Sequence, residues 1–110
     1  MNYCQDGLQV YFTTEKPQYD YAFYGHYELQ PNDVNGRPYF LMSTFGLWWD
    51  GSNAWWIGEV VDNGQPRGFA WVEKDVFCPH QLSELNWALQ VHAGTTWYLD
   101  KSRNLDTTCK

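Results

Sequence analysis

The chain has 110 residues, with 13 acidic against 7 basic side chains and a formal net charge of −6. That length suits one domain, residues 1–110, and excludes a large two-lobed enzyme. The basic residues are scattered from Lys16 to Lys110, which argues against nucleic acid, because binding a phosphate backbone requires clustered Lys and Arg. No apolar run approaches the ~18 residues of a spanning helix, so no membrane insertion is expected. Nor does an apolar stretch behind a basic start read as a signal peptide.

Turn signals arrive every eight to twelve residues, the spacing of an antiparallel meander. After Asp6-Gly7, Leu8, Val10 and Phe12 alternate with Gln9, Tyr11 and Thr13 as a half-buried strand. Lys16-Pro17, Gln18 and Asp20 break it, and a second strand over 24–29 stops at Pro31. Asn35-Gly36 supplies the positive φ angles of a tight hairpin, and a third strand follows over 38–44.

In the centre, Leu47-Trp48-Trp49 and Ala54-Trp55-Trp56-Ile57 flank Asp50-Gly51-Ser52-Asn53. A four-residue loop pairs Trp49 with Ala54, Trp48 with Trp55 and Leu47 with Trp56. Alternation then places Trp48 and Trp55 on one face, and Leu47, Trp49 and Trp56 on the other, which is assigned to the core. After Val60-Val61 come a turn at 62–66 and a strand at 68–72. Residues 83–91 allow two readings: a helix capped by Ser83, or a strand over 87–91 that turns at Ala93-Gly94 into 96–99. The strand is preferred, with a helical turn at 81–85 before it. The fold class is therefore all-β: a single antiparallel meander forming a twisted sheet, a small sandwich or a barrel, with at most one short helical turn near 81–85.

Seven tryptophans, eight tyrosines and six phenylalanines make up 19% of the chain, and Ile57 is the only isoleucine. Each aromatic buries roughly 150–250 Å², so a few rings fill a thin core. So many rings are hard to hide in a domain this small, and the remainder are expected at the surface as binding platforms or interface anchors. Strand alternation nominates Trp48 and Trp55 as that platform, extended by Tyr39 or Tyr98.

Three cysteines, Cys4, Cys78 and Cys109, include no C-x-x-C pair, against a zinc finger. A Cys78–Cys109 bridge would staple the C-terminal third and leave Cys4 over; three reduced thiols are the alternative. His26, His80 and His92 lie in separate segments, so no metal site is expected. No pair among Glu28, Asp50, Glu59, Glu73 and Asp75 is singled out as a catalytic acid and base. Cys78 and His80 are neighbours in sequence, but a nucleophile also needs a group to orient its base. The 50–53 loop is read as a hydrogen-bonded turn rather than a calcium loop. No catalytic residue, cofactor or metal is expected.

The segments Gly25-His26-Tyr27-Glu28-Leu29, Val34-Asn35-Gly36-Arg37-Pro38-Tyr39-Phe40, Leu47-Trp48-Trp49 and Trp55-Trp56-Ile57-Gly58 precede Cys78-Pro79, Trp87, Trp97 and Cys109. Together they resemble a Trp-rich β module of extracellular, multidomain proteins of invertebrates and protists, over most of residues 25–109. The resemblance implies an adhesion or recognition unit without catalytic residues, in a secreted or membrane-anchored chain. It agrees with the Cys78–Cys109 bridge and carries over no binding-site residue. Within the motif, Asn35-Gly36 makes the turn, Pro38 stiffens the strand entry, and Arg37 is suited to stack on a ring or pair with an acid. The expectation is a non-enzymatic, secreted or extracellular module that binds a protein or glycan through exposed aromatics. The alternative is a structural domain that self-associates into homo-oligomers.

Overall fold

The computed structural model describes residues 6–12, 25–82, 85–93 and 96–109. Eight antiparallel strands follow one another around a closed barrel: β1 (Leu8–Phe12), β2 (Gly25–Leu29), β3 (Phe40–Met42), β4 (Phe45–Trp49), β5 (Trp55–Glu59), β6 (Ala70–Val72), β7 (Leu85–Ala93) and β8 (Thr96–Cys109). Each strand pairs with its neighbour in sequence, and β8 returns to β1, with Leu8 opposite Cys109 and Phe12 opposite Leu105. Closure removes the free edges that an open sheet would present. The helical turn expected near 81–85 lies at Pro79–Leu82 as a 310 turn, and a second occupies Val60–Asp62.

Inward-facing residues are stacked in layers. Phe40, Leu47, Ile57 and Ala70 face one another in register across β3 to β6. Trp49, Trp55 and Val72 form the layer beside them. Leu8, Val10, Tyr27, Leu82 and Trp87 complete the core. With one isoleucine in the chain, aromatic rings supply much of the volume that aliphatic side chains fill in other small barrels. Burial pushes the Tyr27 phenol far above its ordinary pKa, so it stays neutral. Thr107 is the buried polar side chain among the described residues, and its hydroxyl donates to the Pro79 carbonyl at 2.6 Å, tying β8 to the 310 turn.

Local chemistry sets the turns. Asn35 (φ 53°) and Gly36 (φ 81°) make the two-residue reversal expected of Asn-Gly, closed by hydrogen bonds in both directions between Val34 and Arg37. A second tight reversal at Ser43 (φ 55°) and Thr44 ends β3 at Met42, shortening the strand expected over 38–44, and β4 begins beyond it at Phe45. At the C-terminus, β8 continues ten residues beyond the expected end at 99, through a polar stretch.

The cysteine expectation is corrected. Cys78 is a free thiol, 4% exposed, so the Cys78–Cys109 bridge is not formed. Cys78 is buried beside the 310 turn, its N–H donating to Gln81 Oε1, whereas Cys109 is exposed on β8, so the two occupy opposite environments.

Candidate functional site

The β4–β5 hairpin fixes where the indoles go. Asp50 Oδ1 accepts the backbone N–H groups of Ser52, Asn53 and Ala54 at 2.8–3.3 Å, and the Asp50 N–H donates to the Ala54 carbonyl. The carboxylate thus folds the loop over itself and sets Trp49 opposite Trp55, Trp48 opposite Trp56 and Leu47 opposite Ile57. This register is one residue from the expected one. Since a slip of one exchanges the faces of a strand, Trp55 points into the barrel and Trp56 points out, the reverse of their assignment. Leu47, Trp48 and Trp49 lie on the faces expected.

Trp48 is outward yet fully buried. Its ring lies over Gly46 and Gly58, where an added Cβ would come within 3.2 and 3.0 Å of it. The segment 60–69 roofs the ring, accepting its Nε1–H at the Gln65 carbonyl (2.9 Å). Gly58 and Gly68 let the roof descend: a Cβ on Gly58 would stand 2.8 Å from Gly68 Cα. Trp55, fully buried on the other face, donates its Nε1–H to the Val76 carbonyl at 2.9 Å. The expected Trp48–Trp55 platform is therefore corrected: the two rings are on opposite sides of the sheet and neither reaches solvent. Tyr39 is half-buried just before β3, two strands from β5 in the sheet order. Tyr98 pairs with Val91 in the β7–β8 register, and its side chain lies outside the described residues.

Among the described tryptophans, the two that are not buried are Trp56 and Trp71. They are cross-strand partners on β5 and β6, both half-buried, stacked at 5.0 Å between centroids and 23° between planes. Trp56 is held upright by donating Nε1–H to Asp50 Oδ2 at 3.0 Å. Desolvation works to raise the Asp50 pKa, but donors from Ser52, Trp56, Ala54 and Asn53 outweigh it and hold the carboxyl below its ordinary range. The next residue across the sheet from Trp71 is Ala88, which contributes only a methyl. Glu73 follows Trp71 by two residues and is exposed. Trp71 is not among the residues that the central hairpin nominates, although its own strand carries the signal. In Phe69-Ala70-Trp71-Val72 the small aliphatics alternate with the aromatics, and the aliphatics face inward.

Arg37 closes one mouth of the barrel. Its guanidinium sits 3.7 Å from the centroid of the Trp49 ring, and it donates to the Val76 carbonyl and to Asp75 Oδ1, both at 2.7 Å. Both roles suggested for this arginine, ring stacking and pairing with an acid, are realised together. Asn35 Nδ2 donates to the Trp49 and Gly64 carbonyls, fastening the hairpin to β4 and to the roof.

Among the described residues no group of three His, Cys, Asp or Glu side chains is placed to hold a metal. Burial, and then the negative charge of Asp33, push the Cys78 thiol up, away from the thiolate that nucleophilic chemistry uses. No described helix is long and apolar enough to cross a membrane. Comparison of the chain with protein-family models, with curated proteins and with solved structures gives no match.

Proposed function

We propose that this barrel is a non-enzymatic recognition module, working outside the cell, that binds a protein or glycan through the Trp56–Trp71 pair. The observation that carries this reading is that pair itself: two stacked indoles left in contact with solvent on a chain that buries its other described tryptophans. Indoles concentrate contact area on few rotatable bonds, so an exposed pair with fixed rings binds with little loss of side-chain entropy. The resemblance to extracellular Trp-rich modules supports the same reading and its secreted setting.

The test is a screen of the folded chain against a glycan array and a panel of extracellular proteins, repeated with Trp56→Ala/Trp71→Ala. The reading predicts a ligand whose binding the double variant loses while its circular dichroism stays unchanged. A ligand that the double variant binds as tightly as the parent would overturn it.

A further inference from the structure

We propose that Asn63, in the roof over Trp48, is a site of spontaneous deamidation, with water as the co-reactant. The sequence holds two Asn-Gly pairs, Asn35-Gly36 and Asn63-Gly64. A glycine after asparagine leaves the side-chain amide open to attack by the following backbone nitrogen, so the sequence alone makes both candidates. The fold tells them apart.

Asn35 is held. Its Nδ2 donates to the Trp49 carbonyl at 2.8 Å and to the Gly64 carbonyl at 3.1 Å. Its backbone is fixed at φ 53° between the paired hydrogen bonds of Val34 and Arg37. Asn63 has no such hold. Its Oδ1 is buried without a hydrogen-bond partner, and its Nδ2 donates to no acceptor among the described residues. The backbone bonds of its turn run from the Asn63 N–H to the Val60 carbonyl and from the Gln65 N–H to the Asp62 carbonyl. Between them the Gly64 nitrogen, which is the nucleophile, donates to no described acceptor. Ring closure requires ψ of Asn63 to rotate from 127° until Cγ meets that nitrogen, and Gly64 adds no side chain to resist the swing. What resists is the hydrogen bond from Asn35 to the Gly64 carbonyl, so one asparagine, itself protected, braces the other.

In the reaction the Gly64 nitrogen bonds to Cγ of Asn63, the Cγ–Nδ2 bond breaks, and Nδ2 leaves as ammonia with the proton given up by Gly64. Water then opens the five-membered imide at either carbonyl, leaving aspartate or isoaspartate. Both products place a new carboxylate next to Asp62. Aspartate keeps an oxygen in a buried position that offers it no donor. Isoaspartate lengthens the backbone of the segment whose Gln65 carbonyl caps the Trp48 indole. Either change loosens the roof.

The test ages the folded protein at mildly alkaline pH and locates deamidated residues by peptide mapping with isoaspartyl methyltransferase labelling, with the urea-unfolded chain as reference. In urea the two pairs are expected to react at similar rates. In the folded protein Asn63 is expected to react at least fivefold faster than Asn35. Asn35→Gly, which keeps the left-handed turn and removes both amide bonds, is expected to speed the reaction at Asn63 several-fold. The aged protein is expected to melt lower and to emit further to the red, and Asn63→Gln to abolish both changes. An Asn63 that stays intact in the folded protein while reacting in urea, or an Asn35 that reacts as fast as Asn63, overturns the proposal. A rate at Asn63 unmoved by Asn35→Gly overturns the brace alone.

Discussion

The carboxylate of Asp50 receives the indole N–H of Trp56 at 3.0 Å while its other oxygen collects three consecutive backbone N–H groups of the loop. One side chain thereby sets both the β4–β5 register and the pose of the outermost ring. Replacing it with alanine leaves those donors without an acceptor, and Asp50→Ala is expected to cost about 1–2 kcal/mol in urea unfolding. Loss of well under 0.5 kcal/mol would show that the loop holds its register without the carboxylate.

A pH dependence follows from the same group. The folded pKa of Asp50 is depressed, so the folded state favours the ionised form. Its contribution is present above the unfolded value, ~4 for an ordinary aspartate, and is lost as pH falls through the lower folded value. Asp50→Asn is therefore expected to flatten the acid limb of stability against pH while leaving the slope above pH 6 unaltered. An acid limb identical in the two proteins would assign it to other carboxylates.

Gly58→Ala tests the descent of the roof. Its Cβ would collide with the Gly68 backbone at 2.8 Å and press on Trp48 at 3.0 Å. Backbone cannot swing aside as a side chain does, so the roof must lift, at about 1–3 kcal/mol. Lifting it also admits water to Trp48, and a red shift of tryptophan emission should accompany the lower melting temperature. A variant as stable as the parent would mean that segment 60–69 packs loosely.

Arg37→Lys separates shape from charge at the barrel mouth. Lysine retains the charge but not the planar fork that covers Trp49 while bonding Val76 and Asp75. A loss of about 1–2 kcal/mol is expected for lysine. Asp75→Ala removes only a partner whose side chain is 74% exposed, worth under ~1 kcal/mol. Equal effects from the two substitutions would shift the weight to the ion pair.

How much of this was legible in the sequence depends on how local the determining forces are. Asn35-Gly36 specified its reversal, because the required φ angles belong to those two residues. The inward layer of β4 was readable from alternation. The phase of β5 was not: it depends on whether four or five residues bridge the strands, and the Asp50 carboxylate selects five. That single residue moved Trp55 inside and Trp56 outside. The burial of Trp48 was hidden for another reason. Its face follows from alternation, but its cover comes from residues 60–69 crossing over glycines, a non-local contact. The far half of β8 escaped because residues 100–109 carry little apolar pattern, and their place comes from pairing with β1 and β7.

The cysteines supply a further prediction. With Cys78 buried and free, the other cysteine in the chain available to Cys109 is Cys4. Leu8 pairs with Cys109, so Cys4 precedes the partner of Cys109 by four residues. Peptide mapping without reductant is expected to link Cys109 to Cys4, and iodoacetamide to reach Cys78 only on unfolding. A peptide joining Cys78 to Cys109 would contradict the free thiol at Cys78.

The seam between β1 and β8 also governs when the barrel can form. Residue 8 finds its companion at residue 109, so on the ribosome the first strand emerges long before the last one exists. Until then β1 and β7 each present an uncovered backbone edge, and ring closure must wait for β8. Contacts so distant along the chain make folding slow, and the interval exposes an aromatic-rich interior to aggregation.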